Sequence, residues 1–235
     1  MAVPEAVAGL AAIPGVRTAA QLKQPDSETP TASGALPVVP ALAELLPAGG
    51  LRRGSTVSVS GSTALVLALL AEATQQGSWA AIAGIPELGV AAAAELGVDL
   101  ERFALVPNPG AEVVAVVSAL IDGFDLVVLG PNAVRGVQPQ LARRLAGRVR
   151  NRGAVLITAG AWPGVDLELR VSKRKWHGLT EDGFGHLEFR DVVATSRGRG
   201  AAARPQTVAI QLPGPGGAAA AGRPLARRSL TEAAG

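Results

Sequence analysis

The chain has 235 residues, 48% of them hydrophobic, which is enough for one substantial core, and its formal net charge is only +3. It contains no cysteine and two histidines, so disulfides, thiolate zinc sites, cysteine nucleophiles and an ordinary histidine metal cluster have no basis in the sequence. Neither an apolar run of about 18 residues nor a charged-then-apolar signal peptide is visible, and a cytoplasmic protein without membrane contact is expected.

In chain order, residues 1–24 fit an amphipathic helix interrupted at Pro14-Gly15, and residues 25–40 have the Pro, Ser, Thr and Gly content of a linker. A short apolar helix is expected from Ala41 to Pro47, then a turn at Gly49-Gly50. Val57-Ser58-Val59 alternates as a strand, Gly61 makes a turn, and Thr63 to Thr74 reads as a helix capped by Ser62 or Thr63. The alternation continues with strand Trp79 to Ala83, helix Val90 to Leu96, strand Phe103 to Val106, helix Glu112 to Ile121 and strand Leu126 to Leu129. Helix Gln138 to Arg150 and strand Ala154 to Thr158 follow. Continuously apolar runs such as Leu126 to Leu129 are what parallel strands covered on both faces require, so the fold class is α/β. Beyond Trp162, Leu167 to Val171, Gly185 to Phe189 and Val192 to Thr195 alternate apolar with polar residues, predicting an antiparallel extension of the sheet. From Arg197 the chain is rich in Gly, Ala, Pro and Arg, and a largely disordered tail is expected, with Thr207 to Leu212 its one apolar segment.

Charge is distributed unevenly. Residues 1–133 carry 5 basic and 12 acidic groups, whereas residues 134–204 carry 14 and 6. The second half is therefore a candidate surface for an acidic partner. On the Gln138 to Arg150 helix, Leu141, Leu145 and Val149 form a core stripe, which leaves Arg143, Arg144, Arg148, Arg150 and Arg152 on the outer faces. These arginines suit DNA phosphate or an acidic protein, although a solvated helix face is the plainer reading. Lys173, Arg174, Lys175 and Trp176, followed by His177, combine charge with an aromatic able to stack on a base; a strand edge kept soluble by lysine is the equal alternative. Trp79 at a strand start is read as core. Trp162, in a loop after a strand, is read as an exposed interface anchor. His177 and His186 have no carboxylate or thiolate company in the sequence and are assigned surface or hydrogen-bonding roles.

The strand, turn and helix from Val57 to Ala73 stand where a nucleotide-binding domain holds phosphate. A phosphate loop GxxxxGK[ST] wraps backbone N–H groups around phosphate while its Lys reaches the outer phosphates and Ser or Thr binds magnesium. Here Gly61, Ser62 and Thr63 remain, but no lysine occurs between Lys23 and Lys173. Without those charges the electrostatic term that dominates phosphoryl transfer is lost. The expectation is a non-enzymatic protein with no cofactor and no metal.

Several segments together resemble RecA recombinases: Leu36-Pro37; Leu45-Leu46-Pro47-Ala48-Gly49-Gly50-Leu51-Arg52-Arg53-Gly54; Glu95 to Arg102; and Arg143 to Ile157. The resemblance covers roughly residues 36–196 and implies a RecA-like, mostly parallel sheet flanked by helices. It divides the chain into an N-terminal segment 1–35, a core 36–196 and a basic tail 197–235. Where RecA carries its Walker B aspartate this chain has Leu129-Gly130-Pro131; Asp125 lies too early in the strand, and Glu87 falls near the RecA catalytic glutamate. The stretch Ala159 to Gly164 is far shorter than the RecA loop that grips single-stranded DNA. A RecA-like core without its ATPase motifs resembles the actinobacterial form of ImuA. That resemblance implies an accessory subunit of DNA-damage-induced (SOS) translesion synthesis. Its implied partners are ImuB, an inactive Y-family polymerase homologue, an error-prone polymerase III alpha-type subunit, and RecA itself. Alternatives from the same likeness are a single-stranded DNA-binding module and a cell-division inhibitor of the SulA type.

Overall fold

The computed structural model describes residues 34–135 and 137–222. The helix expected within residues 1–24, most of the linker and the last part of the tail lie outside the described residues. Among those described, no helix is long and apolar enough to cross a membrane.

The elements are β1 (Ala35–Pro37), α1 (Pro40–Ala43), β2 (Gly50–Arg52), β3 (Thr56–Ser60), α2 (Thr63–Gln75), β4 (Ala80–Ala83), α3 (Val90–Glu95), β5 (Phe103–Val106), α4 (Val113–Gly123) and β6 (Leu126–Leu129). They continue with α5 (Pro131–Val134), α6 (Pro139–Arg152), β7 (Val155–Ala159), β8 (Leu167–Leu179), β9 (Gly185–Gly198), β10 (Gln206–Gln211) and β11 (Ala220–Ala221). Nine strands form one sheet in the order β11-β10-β9-β8-β3-β7-β6-β4-β5, and β1 pairs with β2 separately. All pairings from β8 through β3 to β5 are parallel, whereas β8 to β11 pair antiparallel. The architecture is therefore α/β with a large, mostly parallel mixed sheet.

The central strands are short and buried on both sides, so their side chains feed two hydrophobic clusters alternately. Leu126 and Val128 of β6 enter one cluster with Val155 and Ile157 of β7, while Val127, Leu129 and Leu156 enter the other. The first cluster contains α2, whose run from Leu65 to Ala71 is buried without interruption. A helix buried on all sides needs apolar residues all round, and TALVLALLA supplies them. Ser62 caps α2 by accepting a hydrogen bond from the Leu65 N–H at 3.2 Å. The second cluster packs α4 and α6 on the opposite face, with Ala142, Leu145 and Val149 as the buried stripe of α6. Pro139 opens α6, and Gly153 closes it in the left-handed conformation at φ 66°.

Three boundaries differ from the sequence expectation. Residues 35–40, read as linker, begin the ordered body, with Leu36 and Val38 buried. Strand β8 runs past Val171 to Leu179, and Gly185 to Thr195 is one strand rather than two. A β-bulge between Ser172 and Arg174, with Lys173 at φ 45°, breaks the alternation there and hides the continuity. Residues 206–222 are not an unstructured tail: β10 pairs with β9 along six residues, and Ile210 and Leu212 are fully buried. A few apolar side chains suffice for order when a sheet edge is available to pair with.

Candidate functional site

In open, parallel α/β sheets the carboxyl edge of the strands is where ligands bind. At that edge β3 ends at Ser60 and the chain turns through Gly61 into α2. Gly61 has φ 87°, and a Cβ there would sit 2.6 Å from the Val171 carbonyl oxygen, so only glycine allows β8 to approach so closely. Gly61 and Thr63 are exposed and Ser62 partly so. Gly130 follows β6 at the same edge. Its φ is an ordinary −75°, but a Cβ would collide with the Ile85 side chain and the Gly84 carbonyl. No carboxylate side chain fits at Gly130 without moving the backbone.

Asp125 precedes β6 at the opposite edge, about 17 Å away along the strand. One of its oxygens accepts from Arg53 Nη1 at 3.0 Å and the other from the Trp79 N–H at 3.1 Å. It is thereby committed to tying β2, β4 and β6 together. Trp79 is half-buried between Phe124, edge-on at 6.4 Å, and the Arg102 guanidinium, 5.7 Å from its ring centre. Glu87 is exposed in the loop after β4. Among the described residues no three His, Asp or Glu side chains cluster as a metal site requires.

The hairpin of β8 and β9 brings further charge to the Gly61 loop. Beyond Ser60, its last partner in β3, β8 continues for nine residues from Val171 to Leu179, projecting about 30 Å from the carboxyl edge. On the hairpin face that looks toward α2, Arg174 Nη2 donates to the Gly61 carbonyl. Arg190, paired across the ladder with Trp176, donates from Nη2 to Ser62 Oγ at 3.5 Å and from Nε to the Leu212 carbonyl at 2.8 Å. Its guanidinium lies 5.1 Å from the Trp176 ring centre. Burial, and then the charge of Arg174, hold Arg190 below the ordinary guanidinium range. On the other face His177 stacks on Phe189 at 4.5 Å and lies 2.7 Å from Asp191 Oδ2. His186 is exposed near Glu188.

The arginines of α6 divide into two groups. Asp122 on α4 accepts from Arg148 and from Arg152 Nε at 2.9 Å, and the hydrogen bond from Arg148 is the chief reason its carboxyl stays below the usual range. Arg148 and Arg152 are thus partnered within the fold rather than left for another molecule. Arg143 and Arg144 are exposed without a carboxylate among the described residues, and Arg150 is exposed where its backbone crosses Gly54. Trp162 corrects a second expectation. It is 6% exposed, closed against α4 and α6 in the second cluster, because the Pro163-Gly164 turn folds its loop back onto the sheet. Sequence reasoning missed Arg190 altogether: its relation to Trp176 and Ser62 exists only through strand register, which alternating polarity does not specify.

Fold and site together define a class: open, mostly parallel α/β proteins that keep a glycine turn and a helix N-terminus at the carboxyl end of a central strand, here without the lysine and carboxylate that serve a triphosphate. Within that class the chain belongs to the MT3502 N-terminal domain family, which matches residues 44–164. It is also 43% identical over 165 residues to the uncharacterized protein Rv3395c of Mycobacterium tuberculosis, covering 66% of this chain and 80% of that protein. The family match ends before the β8–β9 hairpin begins.

Proposed function

We propose that this protein is a non-catalytic accessory subunit of a DNA-damage-induced translesion synthesis complex. In this reading it has a RecA-like core of the actinobacterial ImuA type, and it acts by binding ImuB and an error-prone polymerase III alpha-type subunit. The observation that carries the non-catalytic part is Gly130: the position expected to hold the magnesium carboxylate is packed so tightly that no side chain fits. The lysine-free loop at Gly61 to Thr63 supports it. The RecA-like part rests on the resembling segments from Leu36 to Ile157, which fall on β1, on β2 with the turn before it, on the approach to β5, and on α6 with β7.

The test is co-expression with an ImuB-type inactive polymerase homologue, followed by size-exclusion chromatography. A stoichiometric complex is expected. Arg143 and Arg144 offer a cationic helix face suited to an acidic partner, and reversing both charges should weaken the complex without changing the melting temperature. Recovery of the two proteins as separate species would reject the reading.

A further inference from the structure

The two arginines at the root of the hairpin form a charge arrangement that the fold itself leaves uncompensated. Arg174 and Arg190 reach the consecutive residues Gly61 and Ser62 from two different strands. Among the described residues neither guanidinium has a carboxylate within ion-pair distance. Both point at the N-terminus of the 13-residue helix α2, whose first N–H groups and dipole add to the positive potential. Three positive elements meeting in a half-exposed place repel one another, and a bound anion would turn that repulsion into attraction. Directly beside Arg190 lies Trp176, 43% exposed, with the guanidinium near its ring. An aromatic platform next to an anion site is the pairing that one nucleotide of a single strand offers, a phosphate with an unstacked base. In a duplex the base faces are occupied by their neighbours and cannot reach the indole.

We propose that the hairpin root and the Gly61 to Thr63 loop bind single-stranded nucleic acid, with a backbone phosphate between Arg174, Arg190 and the start of α2, and a base on Trp176. The charges that a triphosphate loop would carry on its own lysine are supplied here from β8 and β9, and the neighbouring Trp176 adds a surface for a base. This inference goes beyond the proposed function and does not depend on any protein partner.

The experiment uses the full chain alone and a fluorescein-labelled oligothymidylate, read by anisotropy and by tryptophan quenching. Saturable binding is expected, weakening steeply as salt is raised, because each contacted phosphate releases counterions. Arg174→Glu should weaken binding about tenfold or more. Trp176→Ala should abolish most of the quenching and weaken binding about tenfold, with Trp176→Phe retaining most of the affinity. Arg190→Gln also removes a contact to Leu212, so melting curves accompany each variant; Arg174→Glu, whose contact is to one exposed carbonyl, keeps the test decisive if Arg190→Gln does not fold. Arg199→Glu, the same charge change at the exposed amino edge of the sheet, should leave affinity within about twofold. Absence of binding, an unchanged Arg174→Glu variant, or an equal loss in Arg199→Glu overturns the proposal. Inorganic phosphate or thymidine monophosphate competing as well per phosphate as the oligonucleotide also overturns it, in favour of a free-anion site. Preference for duplex over single strand does the same.

Discussion

Trp162 carries a buried donor with no hydrogen-bond partner, its indole N–H, in an otherwise apolar setting of Val113, Val117, Leu141 and Leu145. Leaving such a group unpaired costs about 1–3 kcal/mol, whereas the ring itself fills space between α4 and α6. Trp162→Phe should therefore change stability by no more than about 1 kcal/mol, and Trp162→Ala should cost about 3–5 kcal/mol. Urea unfolding of the two variants checks the contrast, and equal losses would show that the N–H is satisfied. Asp122 offers a different residue-scale test. Its folded-state carboxyl is held below the ordinary value chiefly by Arg148, so the bridge contributes fully above the unfolded-state pKa and is lost as pH falls through the folded value. Both partners are partly solvated, which limits the contribution to about 0.5–1 kcal/mol. Asp122→Asn should show that deficit at neutral pH, and it should vanish in strong acid; a deficit that persists in acid would point to packing instead.

At the level of elements, β10 separates what the chain announces from what only the sheet reveals. Ile210 is fully buried against β9 and its neighbours, and Ile210→Ala should cost about 2–5 kcal/mol by thermal or urea denaturation. Ending the chain at residue 196 should destabilise the core by at least as much, since it also removes Leu212, whose carbonyl holds Arg190. The core elements were legible: β3, α2, β4, β5, α4, β6, α6 and β7 fall within a few residues of their expected positions, because apolar runs, Ser62, Pro139 and Gly153 each act locally. The hairpin and β10 were less so. From Ser172 to Leu179 both faces are solvated, so the periodicity that marks a half-buried strand is absent. The partner strand of β10 is set by tertiary pairing alone. At the candidate site the glycine turn and Ser62 could be read directly, whereas Arg190 and the tight packing at Gly130 required the third dimension.

At the scale of the whole molecule, one sheet separates two hydrophobic clusters, and the carboxyl edge collects the Gly61 loop, Gly130 and the root of the hairpin. A ligand held at that edge in the manner of a triphosphate would stabilise the fold by mass action, by about 2.7 kcal/mol at a hundredfold excess over its dissociation constant. Millimolar Mg-ATP should instead raise the melting temperature no further than AMP at the same concentration does, and a magnesium-dependent rise beyond that of AMP would return the protein to the nucleotide-binding class. Because the chain has three tryptophans and no tyrosine, its near-ultraviolet emission arises almost wholly from three indoles in unlike surroundings. Trp79 reports the amino edge of the sheet, Trp162 the packing of α4 on α6, and Trp176 the projecting hairpin. Variants that keep one indole at a time would let the emission spectrum distinguish melting of the body from movement of the hairpin, without any added label.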